Sequence, residues 1–120
     1  MKTSPKYKLR FFFDYNCGGC LWSDNEVTSA AFGVGCLDSD IYDLNGNVSQ
    51  KAQINLPDEL KSKVFYLDEL YSQSLNWNDP IAESPWSKEQ WDSFHNQARE
   101  LHQQIKEELG SEFEVIYRQE

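Results

Sequence analysis

The sequence predicts an α+β fold: a small sheet that includes the N- and C-terminal strands, packed against two long helices. Two apolar–polar alternations, one near each end of the chain, predict the strands. Between them, two stretches repeat apolar residues every three to four positions and predict the helices. At 120 residues the chain is expected to form one domain, residues 1–120.

Residues 6–15 alternate Tyr7, Leu9, Phe11, Phe13 and Tyr15 onto one face. The other face starts with Lys8 and Arg10 and then becomes Phe12, so this strand starts exposed and ends buried on both sides. Cys17-Gly18-Gly19-Cys20 is a turn, because paired glycines allow positive φ. Leu21-Trp22 continues as a short second strand. Ser23, with Glu26 three residues later, reads as a weak capping box for a short helix over about 25–32 that ends near Gly33.

From 33 to 55 the glycines, Asn45-Gly46-Asn47 and the acids Asp38, Asp40 and Asp43 break any regular period. Asn45-Gly46 is a hairpin signal. Pro57 opens a helix whose stripe is Leu60, Val64, Leu67, Tyr71 and Leu75. A loop rich in Pro, Asn and Trp follows over 76–86. Ser87 and Gln90 then form a capping box, and Trp86 and Trp91 stand at hydrophobic-staple spacing. The stripe runs on through Phe94, Ala98, Leu101, Ile105 and Leu109, and Gly110 stops the helix. Phe113, Val115 and Tyr117 alternate in the closing strand.

Composition narrows the function. A net charge of −9 repels nucleic acid and anionic membrane surfaces and favours a basic protein partner. The charge is uneven, −2 over residues 1–50 and −7 over residues 51–120. No apolar run is long enough to span a membrane, and Leu9 to Phe13 is too short for a signal-peptide core. A cytoplasmic protein acting as the whole chain is the expectation, and three cysteines cannot close a full intrachain disulfide framework.

Each chemical constellation has a plainer competitor. The Cys17/Cys20 dithiol is the one short chemical motif and supports a thiol-redox enzyme as the rival function, but no long helix begins at once behind it. Incidental thiols in a glycine turn are the better reading. A zinc site from Cys17, Cys20, Cys36 and a histidine lacks a second paired knuckle. His95 and His102 lie at the margin of a helical stripe, where packing is the usual role, and Asp14 at the end of the first strand is a conceivable partner for a general base. The acids Asp38, Asp40 and Asp43 miss the glycine and glutamate positions of a calcium loop and read as a solvated loop. No cofactor or metal is expected. Trp86 and Trp91 belong to the staple, whereas Trp22 and Trp77 either plug the core from turns or serve as aromatic anchors on a contact surface.

Several segments together resemble a known family: Leu9 to Tyr15, Gly19-Cys20-Leu21-Trp22-Ser23, Ala31-Phe32-Gly33, Ser74-Leu75-Asn76-Trp77-Asn78, Ser84-Pro85-Trp86-Ser87, and Glu108-Leu109-Gly110 with Phe113-Glu114-Val115. In this order they are similar to a family of short uncharacterised bacterial cytosolic proteins, some of them encoded among polymorphic toxin and immunity genes. Cys17 departs from that pattern, as do Asn78 and Asp79 after Trp77. The resemblance implies an immunity protein that binds and neutralises a cognate toxin. The acidic charge agrees with a basic, nucleic-acid-gripping toxin met by electrostatic steering. Candidate contact residues are Trp22, Asp38, Asp40, Asp43, Trp77 and Asp79, with no catalytic residue assigned. A non-catalytic adaptor would share this surface logic with a different partner.

Overall fold

The computed structural model describes residues 5–14, 18–33, 35–79 and 81–119. Strand β1 (Tyr7–Phe11) forms the middle of a three-stranded sheet. Strand β2 (Leu21–Ser23) pairs antiparallel on one side, with Leu9 opposite Ser23. On the other side lies the C-terminal strand β5 (Phe113–Tyr117), parallel to β1 with Leu9 opposite Val115. The parallel pairing demands a long crossover between the two strands, and the intervening helices supply it.

The alternation in β1 sorts its side chains as expected. Leu9, Phe11 and Phe13 are buried, while Arg10 and Phe12 stay half-buried on the reverse face. Regular strand structure ends at Phe11, earlier than the alternation suggested, and Tyr15 lies outside the described residues. Phe13 stays anchored because its backbone N–H donates to the Gln119 side chain.

Helix α1 (Glu26–Phe32) is capped by Asn25, whose Oδ1 accepts from Thr28 N at 2.9 Å. The expected Ser23 box is absent because Ser23 is still in β2, where its hydroxyl bonds Ser29 Oγ at 2.6 Å. Buried Thr28 ties this helix to the sheet by accepting from Lys8 N at 2.8 Å.

Beyond α1 the chain returns along the outer side of β2. Cys36 bridges Trp22, and Leu37 N donates to Leu21 O at 2.8 Å. Strands β3 (Ile41–Tyr42) and β4 (Val48–Gln50) then form a separate antiparallel hairpin. The Asn45-Gly46 signal is its turn: Gly46 has φ 83, which glycine adopts without strain, and Asp43 N donates to Asn47 O at 2.8 Å.

Helix α2 (Asp58–Ser72) starts directly after Pro57 with no side-chain cap. Helix α3 (Lys88–Leu109) carries the predicted box: Ser87 Oγ accepts from Gln90 N at 3.2 Å, and Ser87 N donates to Gln90 Oε1 at 2.7 Å. The Trp86 and Trp91 rings meet edge-on at 4.8 Å, which completes the staple. Leu60, Val64 and Leu67 of α2 and Phe94, Ala98, Leu101 and Ile105 of α3 bury with Leu9, Phe11, Leu21 and Val115 in one core. Each large member contributes about 1.5–3 kcal/mol by burial. Leu75 falls beyond the end of α2 and is only half-buried. No helix among the described residues is long and apolar enough to cross a membrane.

Candidate functional site

The three acids of the irregular segment meet three different environments. Asp38 is buried, and this corrects the expectation that it sits on a solvated loop. Its Oδ1 accepts from Cys20 N at 2.9 Å and Leu21 N at 3.0 Å, and the Cys36 thiol donates to it at 3.3 Å. Burial pushes its carboxyl above the ordinary range, against the pull of the two backbone amides. Gly19 passes so close that a Cβ there would collide with Asp38 Oδ1 and Cys36 Sγ, so any larger residue forces those side chains to shift. Asp40 is half-buried, and its Oδ1 accepts from Ala52 N at 2.8 Å, cross-linking the two legs of the hairpin. Asp43 is exposed in the turn, where its Oδ1 accepts from Asn45 N at 2.9 Å and Asn47 N at 3.0 Å. That carboxylate shapes the loop, as expected of a solvated turn.

Asp38 and Asp40 come together in a groove of ≈ 450 Å³ between the hairpin segment and the first half of α2. Gly18, Ser39, Tyr42, Ala52, Lys61 and Phe65 complete its wall. Tyr42 is 61% exposed and Phe65 56%. Past the groove, the hairpin presents Leu44 at 106% and Val48 at 45% exposure. Tyr42, Leu44, Val48 and Phe65 are thus apolar side chains left open to solvent on this side of the molecule.

The remaining candidates lie elsewhere. Trp22 stacks on Phe12 with ring centroids 4.8 Å apart and ring planes nearly parallel, and its Nε1 donates to Phe12 O at 3.0 Å. It is half-buried and braces the reverse face of the sheet. Trp77 is 55% exposed, and its Nε1 donates to Ser72 O at 2.8 Å, closing the C-terminal end of α2. Asp79 is exposed in the following turn, where its N–H bonds Asn76. Eleven residues of helix separate Lys61 from Ser72, about 16 Å, so Trp77 and Asp79 stand at the opposite end of α2 from the groove.

Sequence reasoning missed Tyr42, Phe65, Leu44, Val48 and Lys61. Phe65 carried a usable signal, since it falls off the stripe of Leu60, Val64 and Leu67 and so points away from the core. Tyr42, Leu44 and Val48 flank a turn signal, and only the fold reveals that none of the described residues covers them.

The chemical alternatives resolve differently. Cys17 lies outside the described residues. Cys20 is fully buried, and burial followed by the Asp38 charge pushes its thiol well above the usual range. The thiol therefore stays protonated, the form unsuited to nucleophilic attack. His95 Nδ1 lies 3.0 Å from Tyr117 Oη, and burial and then Arg99 push the imidazole below its usual value. His102 Nε2 faces Val115 O at 2.6 Å and must donate to it. Both histidines fasten α3 to β5. Among the described residues, no cluster of His, Cys, Asp and Glu suits a metal ion.

Two comparisons bear on this arrangement. The model of the Serratia CdiI immunity protein-like family matches residues 7–120. A search of curated proteins finds no match. The chain belongs to the Serratia CdiI immunity protein-like family. It is an immunity protein, and its partner is the cognate toxin that it neutralises.

Proposed function

We propose that this immunity protein covers its toxin with the face made by the β3–β4 hairpin and the first half of α2, and that the toxin is a basic, nucleic-acid-cleaving domain. One observation carries the reading. Tyr42 and Phe65 are exposed on one groove beside Asp40, with Leu44 and Val48 open next to them. Aromatic and aliphatic anchors ringed by carboxylates are what a cationic protein surface binds. The acid-rich chain supports the basic partner, since opposite charge speeds encounter and a nuclease needs cations to grip phosphate. Inhibition by occlusion requires no catalysis, so the protein acts as a stoichiometric inhibitor in the cytoplasm, with residues 1–120 as a single domain.

Trp77 and Asp79 form a second contact candidate at the far end of α2, where the exposed Trp77 ring borders Glu69, Ser72 and Gln73. Trp22 and Asp38 act from beneath: one braces the sheet, and the other fixes the floor of the groove.

Calorimetry with the purified toxin domain tests the placement. Leu44→Asp and Val48→Asp sit on the open hairpin and are expected to leave the melting temperature within about 2 °C, as surface changes do. Each is expected to weaken toxin binding by at least about tenfold. Unchanged affinity in both variants would move the interface elsewhere.

A further inference from the structure

We propose that the groove between the hairpin and α2 receives an arginine side chain of the toxin. This rests on the reading that the hairpin face contacts the toxin, and it names the group that enters. Two open rings, Tyr42 and Phe65, line the same groove as the Asp40 carboxylate. A guanidinium is planar, weakly hydrated and able to stack on an aromatic face while donating to a carboxylate. Asp40 is held in place by the 2.8 Å bond from Ala52 N to its Oδ1, yet a carboxylate offers about four acceptor sites, so capacity remains for an incoming fork. The groove, at ≈ 450 Å³, has room for the head and its stem. Asp38 lies in the same wall with its oxygens already engaged by Cys20 N and Leu21 N, so it adds field and no further bond. An anionic ligand is disfavoured by both acids.

Lys61 is the opposing element. It stands in the wall one helical turn before Phe65, so its positive charge repels an entering cation. Removing that charge is therefore expected to improve binding, a gain that mere damage to the fold does not produce.

The experiment uses the full chain and its cognate toxin domain, with affinities from calorimetry and folding checked by thermal melting. Each toxin arginine is changed in turn to lysine. One such change is expected to weaken binding at least about tenfold, and to lose most of that effect against Asp40→Asn or Phe65→Ala in a double-mutant cycle. Lys61→Gln is expected to tighten binding severalfold. If every arginine-to-lysine change stays within about twofold, or if Lys61→Gln weakens binding, the arginine assignment fails. The docking face itself is judged separately by Leu44→Asp and Val48→Asp: their loss of affinity keeps the face while the arginine falls, and their silence removes both.

Discussion

Asp38 shows how one side chain organises the neighbourhood of the groove. It satisfies two backbone amides where the chain leaves the Gly18-Gly19 turn and enters β2. Asp38→Ala orphans both donors in a buried place and is expected to cost about 3 kcal/mol, read as a lower denaturant midpoint. Asp38→Asn keeps an acceptor oxygen and is expected to lose far less. The two variants also differ in pH dependence. Because burial raises the folded carboxyl above its ordinary 3.8, the folded state favours the proton. The stability this group contributes is full below pH 3.8 and declines as pH rises through the raised folded value. The Asn variant lacks that decline, so its stability relative to wild type is expected to improve from pH 4 upward in urea titrations. A difference that stays constant over this range would refute the raised carboxyl.

Helix α3 is the element most completely specified by local chemistry. Its capping box, staple and terminal Gly110 all stand where spacing placed them, because each involves residues within five positions of one another. Ser87→Ala removes the acceptor for Gln90 N and is expected to destabilise the fold by about 1 kcal/mol in chemical denaturation, without altering toxin affinity. The hairpin is the contrasting element. Its turn was legible, since Asn-Gly needs only local φ values, but its exposure was not. A pair of short strands gains little stability alone, so its open side chains at Tyr42, Leu44 and Val48 make most sense as half of an interface.

At the scale of the whole molecule, the proposed basic toxin makes opposite charge the driver of encounter. With a net charge of −9, association with a basic domain is expected to slow by tenfold or more between about 50 and 500 mM salt, while dissociation changes little. Stopped-flow measurements check this, and a salt-insensitive on-rate would count against a cationic partner. The separation of candidate residues along α2 also belongs to this scale. One end borders the Asp40 groove and the other carries Trp77, so the six residues singled out by composition do not form one site.

The sequence by itself determined the α+β class, the two long helices, the caps of α3, the terminal strands and the acidic character, because periodicity, capping and charge all act over a few residues. Its motif order also pointed to the toxin–immunity relationship. The tertiary structure decided that β5 lies parallel to β1, that Asp38 is buried while Asp40 borders a groove, and that Trp22 braces a sheet. It alone placed Tyr42 beside Phe65, twenty-three residues later in the chain. These outcomes depend on which distant segments share a core, and burial is a property of that packing, not of any residue's immediate neighbours.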